Sequence, residues 1–136
     1  MVFERSHFRA DPVSVRAALQ RFEQGSVLGP LGADHRDCVL LVLAEVLNNV
    51  AEHAYAGDAG PVAVALRLRG RSIEARVVDR GGVAPALGIG RACDPLALPE
   101  GGFGTGLIRT LASGICQESR MGCNILQFRM DVDNVA

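Results

Sequence analysis

The chain contains no lysine and no tryptophan, a single tyrosine, no Cys-x-x-Cys pair and no run of like charge. Without lysine it has neither a P-loop lysine nor a Schiff-base lysine, so any phosphate must be held by arginine, a metal or backbone N–H groups. All 14 basic residues are therefore arginines, set against 15 acids for a formal net charge of -1. That balance lacks the electrostatic footprint of a general nucleic-acid binder, and no direct nucleic-acid contact is expected. Cys38, Cys93, Cys116 and Cys123 make no zinc-type grouping with His7, His35 or His53 and read as reduced packing residues. The opening MVFERSHFRADP is charged, without the apolar segment of a secretory signal, and no apolar run approaches the ~20 residues of a membrane span. A cytoplasmic protein with no membrane contact is expected.

What is present suits helices lying on a sheet. Hydrophobic residues make up 49% of the 136 residues, enough for one substantial core built from Leu, Val, Ile and Ala, and a single domain over 1–136 is expected. Residues 3 to 10 alternate loosely and predict a short first strand. Asp11-Pro12 then gives a capping carboxylate and a Pro at the first helical position, opening a helix that ends near Gly25. GSVLGPLG, residues 25 to 32, reads as a Gly/Pro-rich connector to a second helix over about 34 to 55.

Residues 61 to 79 predict two strands around a tight turn at Gly70-Arg71. Val62, Val64, Leu66 and Leu68 face one way there, and Arg67 lies opposite Glu74. From Arg80 to Gly106 the chain is rich in Gly, Ala and Pro with no sustained period, a length that suits a functional lid. A short third helix follows in LIRTLAS. The chain closes with a strand from Ile115 to Glu118, a turn through Arg120 to Gly122, and a last strand beginning at Asn124. The expected fold class is an α/β two-layer sandwich: a mixed, largely antiparallel sheet with three main helices on one face.

Three places carry chemistry. In VLLVLAEVLNNVAEHAY, residues 39 to 55, Glu45, Asn49 and His53 stand four apart, so their side chains follow one side of a buried helix. A carboxylate and a carboxamide so placed can set a base beside a metal ligand, although a polar row also reads as a solvated face. Asp79 ends an apolar strand two residues before Gly81, a carboxylate that can accept from an exocyclic amino group, or an ordinary turn. Gly102, Gly104 and Gly106 run into a helix N-terminus, which makes an anion site or a flexible linker.

Taken together and in this order, the three resemble the N box and the two glycine boxes of the GHKL ATPase superfamily, with its Bergerat-type ATP-binding fold. More narrowly, LAEVLNNVAEHAY is similar to the Glu-x3-Asn-x3-His-(Ala/Gly)-Tyr helix of bacterial anti-sigma-factor serine/threonine kinases, and the likeness covers nearly the whole chain.

The resemblance implies Mg-ATP as cofactor, with Glu45 as general base and Asn49 as ligand to Mg²⁺. It implies that Asp79 reads the adenine amino group, that Gly81 shapes the purine pocket, and that Gly102, Gly104, Thr105, Gly106 and Leu107 form the phosphate-binding turn. His53 lines or supports the pocket, Asn48 and Glu52 are merely polar, and Arg80 and Arg91 are the candidate cations for phosphate. The implied activity is phosphorylation of a serine or threonine on a STAS-type anti-anti-sigma protein, coupled to sequestration of a sigma factor, with a possible homodimer.

Two positions depart from the family pattern: Val83 stands where a further Gly is usual, and Cys123 where Thr usually follows Gly122. The hydroxyl near the adenine is thereby lost, and Asn124 or a water is the compensating group. A nucleotide-binding partner-switch module with weak or no kinase activity is the first alternative. A stand-alone catalytic domain of a histidine kinase is the second, without a phospho-acceptor helix pair before residue 34.

Overall fold

The computed structural model describes residues 2–55, 58–81, 91–92 and 110–132, with backbone alone at 53–54 and 91–92. The first strand, β1 (Val2–Arg9), leads to helix α1 (Pro12–Glu23). Asp11 caps that helix from an extended conformation, its carboxylate accepting from the Ser14 N–H at 2.8 Å and the Ser14 hydroxyl at 2.9 Å. These two donors hold the Asp11 carboxyl below its ordinary range. Pro12 costs nothing at the first helical position, where no intrahelical N–H bond is made.

Helix α2 (Ala33–Asn49) is continued by a π turn at Val50–Ala54. The expected helix over 34 to 55 is thus present, with its last turn wound wider than α. The strands β2 (Pro61–Arg69) and β3 (Ser72–Asp79) form the expected hairpin, with Gly70 at φ 61° in the turn and Arg67 opposite Glu74. A two-residue strand, β4 (Arg91–Ala92), lies inside the stretch expected to be lid, and β5 (Gly114–Arg120) and β6 (Cys123–Asp131) close the chain. Met121 (φ 55°) and Gly122 (φ 78°) join that last pair, both central residues left-handed as a type I′ hairpin turn requires.

The sheet runs β1-β2-β3-β6-β5-β4. Every pairing among the described residues is antiparallel, which corrects the mixed sheet expected from the sequence. The reason lies in the connections. Two helices between β1 and β2 return the chain to the end where β1 finished, so Arg9 pairs with Pro61, and a single crossover helix would have made the pair parallel. The described residues contain two α-helices, not the three expected; of the stretch read as a third, Thr110 and Leu111 alone are described and helical.

One face of the sheet carries the core. From α1, Val15, Ala18 and Phe22 are buried, and from α2 Val39, Val42, Leu43, Val46 and Leu47, meeting Val62, Val64, Leu66, Ile73 and Val77 of the strands. Each large side chain fully buried here contributes about 1.5–3 kcal/mol of transfer free energy. The stretch read as a connector is part of this core: Val27 and Leu28 are fully buried and Leu31 nearly so. Gly29 donates to the Gly25 carbonyl at 2.9 Å, folding the segment into a compact turn that delivers those side chains inward. No helix among the described residues is long and apolar enough to cross a membrane.

Candidate functional site

The buried stripe of α2 runs Val39, Val42, Val46, Asn49 at helical spacing. Asn49 therefore continues the sheet-facing side, and at 9% exposure it is a core residue by position and an amide by chemistry. Its Nδ2 is buried without a hydrogen-bond partner. An orphaned amide donor of this kind costs about 1–3 kcal/mol unless a water or a ligand supplies its partner; Glu4 Oε1 and Arg36 Nε are buried in the same condition. Glu45, one turn earlier, is half-buried at the side of the same stripe and has no ion-pair partner among the described residues. Asn48 and Glu52 are exposed, which removes them from the row as its sequence reading sorted them.

The π turn begins at the residue after Asn49. Its closing bond runs from the Tyr55 N–H to the Val50 carbonyl at 3.2 Å, five residues back. Widening the last turn delivers the Tyr55 hydroxyl to two backbone groups: it donates to the Pro61 carbonyl at 2.5 Å and accepts from the Arg80 N–H at 2.8 Å. One phenol thus ties the end of α2 to the start of β2 and the end of β3. Gly60 is fitted to this tie, because a Cβ there would overlap the Tyr55 ring. Burial, the largest influence on it, raises the Tyr55 pKa, so the hydroxyl stays protonated and can donate.

At the other side of the tie, Asp79 is 6% exposed. Its Oδ1 accepts from the Gly81 N–H at 2.8 Å and from Asn124 Nδ2 at 2.9 Å. Asn124, itself 7% exposed, also donates to the Gly81 carbonyl at 3.3 Å, while its own Oδ1 accepts from the Ser119 hydroxyl at 2.9 Å. The register makes this a single row across three strands: Ser119 opposite Asn124, and Asn124 opposite Asp79. Burial pushes the Asp79 carboxyl above its ordinary value of 3.8, and the Gly81 and Asn124 donors pull in the opposite direction. The result is a buried carboxylate with one oxygen held by the protein, able to accept from an amino group. Arg80, by contrast, is exposed and lines the opposite face of the sheet, so it does not stand beside the Asp79 carboxylate.

Asn49, Asp79 and Asn124 are the buried polar side chains among the described residues. No group of three or more His, Cys, Asp or Glu that could hold a metal exists among those residues. Among the described residues a divalent cation at Asn49 would thus have one buried amide oxygen, with water and ligand oxygens beside it, which suits Mg²⁺ better than a transition metal. The side chain of His53, and Gly102, Gly104, Thr105, Gly106, Leu107 and Val83, lie outside what is described, as does the Arg91 side chain. The residues that sequence reasoning gave no role are Tyr55 and Ser119. Tyr55 was visible as the last residue of the helix motif, and Ser119 only through its register with Asn124.

Residues 8–130 match the sequence model of the histidine kinase-like ATPase domain. Two relatives are the serine-protein kinases RsbW of Bacillus thuringiensis (strain Al Hakam) and Bacillus cereus (strain 03BB102). Each is 26% identical over 122 residues, covering 83% of this chain and 76% of the relative.

Proposed function

The chain belongs to the histidine kinase-like ATPase domain family, and from that premise we propose that it binds Mg-ATP beside α2 and the end of β3 and phosphorylates a serine or threonine of a partner protein. The observation that carries the reading is the set of buried polar side chains: Asn49, Asp79 and Asn124 interrupt an otherwise apolar core, and the Asn49 amide has no partner there. Packing alone gives no reason for such a set.

In this reading Asp79 accepts a hydrogen bond from the adenine amino group, Gly81 lets the ring approach, and Asn49 holds Mg²⁺ through its carboxamide oxygen. When bound, Mg²⁺ offsets the charge of the phosphates. Gly102, Gly104, Thr105, Gly106 and Leu107, which lie outside the described residues, would hold those phosphates, and His53 would support the pocket. Glu45 takes the proton of the acceptor hydroxyl as its oxygen bonds to the γ-phosphorus, the bond to the bridging oxygen breaks, and ADP leaves with that electron pair. The similarity to proteins named serine-protein kinases supports a seryl or threonyl phosphoacceptor. The resemblance of the α2 motif to anti-sigma-factor kinases points to a STAS-type anti-anti-sigma protein as that acceptor, a sigma factor as the second partner and a homodimer as the working assembly.

Calorimetry with ATP and Mg²⁺, together with a phosphotransfer assay on an acceptor protein recovered by pull-down from the native cell, tests the proposal. Glu45→Ala is expected to retain nucleotide binding and lose phosphotransfer, by about 100-fold or more for a general base. Asn49→Ala is expected to lose the Mg²⁺-dependent part of binding. Unchanged phosphotransfer in Glu45→Ala would overturn the assignment of the base. ATP binding without phosphotransfer in the parent protein would favour the partner-switch module.

A further inference from the structure

The helices cover one face of the sheet, and the other face carries an open trough of about 1100 Å³. Strand alternation and register define its walls. Ala63 and Ala65 of β2 form the floor, with His7 opposite Ala63 and Arg5 opposite Ala65 on the β1 side. Val78 lies opposite Ala63 and Arg76 opposite Ala65 on the β3 side. Five arginines line the trough, Arg5, Arg67, Arg76, Arg80 and Arg129, against the single carboxylate of Glu74. Glu74 is already bonded to Arg67, and Arg129 stands 4.0 Å from Asp131 beside the trough, which leaves Arg5, Arg76 and Arg80 without an acidic partner among the described residues. Arg5 stacks 5.5 Å from the centre of the Phe3 ring, and Arg76 meets the neutral carboxamide of Gln127. In a protein whose formal net charge is -1, this places a concentrated positive field on one face.

We propose that this trough is the docking surface for a partner's amphipathic helix whose apolar stripe is flanked by Asp and Glu. Charge complementarity sets the sign: Arg5 and Arg76 stand on either side of Ala65 with no carboxylate partner among the described residues. Geometry sets the shape. The walls are two strand spacings apart, roughly 9.6 Å, which matches the ~10 Å width of a helix. A helix satisfies its own backbone groups, whereas an extended segment laid on a sheet face would leave its N–H and C=O groups without partners.

The floor sets the apolar part. Alanines with Phe3 and Val78 beside them reward a Leu or Ala stripe, which a bare polyanion lacks. Nucleic acid would want stacking platforms, and Phe3 is the exposed aromatic here. A second copy meeting this face by two-fold symmetry would bring two faces of the same net positive charge together. This proposal does not depend on the nucleotide reading.

The test titrates the full chain with a fluorescent peptide of about five helical turns, leucine-striped and glutamate-flanked. Its lysine-flanked counterpart and a single-stranded oligonucleotide are run beside it. The glutamate peptide is expected to bind and to shift the amide resonances of Ala63 and Ala65. The Arg5→Glu/Arg76→Glu double variant is expected to weaken it by about tenfold or more, as for close interfacial charge pairs, and to take up the lysine peptide instead. Arg5→Gln/Arg76→Gln removes the charges more gently, and its loss of the glutamate peptide gives the same answer if charge reversal impairs folding. Equal binding of the two peptides, binding insensitive to both double variants, or tighter binding of the oligonucleotide would each overturn the proposal. So would a doubled sedimentation mass that the double variants abolish.

Discussion

Replacing Asn124 with leucine, its near-isostere, isolates what the buried row across β5, β6 and β3 contributes. The change removes the donor 2.9 Å from Asp79 Oδ1 and leaves the Ser119 hydroxyl without its acceptor. Hydrogen bonds to charged groups are worth about 1.5–3 kcal/mol, and better apolar burial of leucine returns roughly 1 kcal/mol of that. The net cost near neutral pH is therefore about 0.5–2 kcal/mol.

Its pH dependence is the sharper part. Burial raises the Asp79 carboxyl above 3.8 in the folded state, so its contribution to stability is fully present below 3.8 and is lost as pH rises through the folded value. Above that value the fold holds a buried anion, and Asn124 offsets part of the penalty. Without Asn124 the folded pKa rises further and the penalty grows. The stability difference between parent and Asn124→Leu should therefore be largest at neutral pH and shrink on acidification, as Asp79 takes up its proton. Urea denaturation of both proteins from about pH 7 to about pH 4 measures this directly, since other titrations cancel in the difference. A difference that is absent, or constant across the range, would refute the reasoning. Ser119→Ala, which frees the Asn124 amide to turn, should show the same trend at about 0.5–1.5 kcal/mol.

Tyr55→Phe removes both bonds of the phenol, to the Pro61 carbonyl and from the Arg80 N–H, and should cost about 1–2 kcal/mol in urea denaturation. Gly60→Ala should cost about 1–3 kcal/mol by pushing on the Tyr55 ring, and most of that should vanish in Tyr55→Ala/Gly60→Ala, a coupling read by a double-mutant cycle. Met121→Asn should raise the melting temperature through about 1 kcal/mol of relieved strain, because Met121 sits at φ 55° in a turn that favours Asn-Gly. Asn49→Leu should leave stability unchanged or raised, since its Nδ2 is buried without a partner, while Mg²⁺-dependent ATP binding measured by calorimetry is lost.

The parts of the fold written in local periodicity were legible in the sequence. Asp11-Pro12 announced α1, the run from Val39 announced α2, and the alternation about Gly70 fixed both the β2–β3 hairpin and the Arg67 and Glu74 register. Features set by tertiary demands were not. The wide last turn of α2 exists because the Tyr55 hydroxyl must reach Pro61 and Arg80, residues supplied by other elements. The burial of Val27, Leu28 and Leu31 has no period to signal it, since a Gly/Pro-rich turn places them. Asn124 could be named as a substitute for a missing hydroxyl, but its two side-chain partners, Asp79 and Ser119, follow only from the pairing of β6 with β3 and β5.

The polar row of α2 shows how such a question is decided. Spacing alone left Glu45, Asn49 and His53 equally readable as a solvated face, and spacing cannot distinguish the two because both use the same helical period. The decision comes from the stripe to which each residue belongs. Val39, Val42 and Val46 point at the sheet, and Asn49 is the next member of that stripe, so its amide is delivered into the core. Asn48, one residue away, is turned to solvent. The Nδ2 of the Asn49 amide has no hydrogen-bond partner among the described residues, while Asp79 and Asn124 satisfy each other. A fold selected for stability alone would carry an apolar residue at position 49. That it carries asparagine, next to a π turn whose Tyr55 is tied to the residue after Asp79, is the physical ground for treating the end of α2 and the end of β3 as one site.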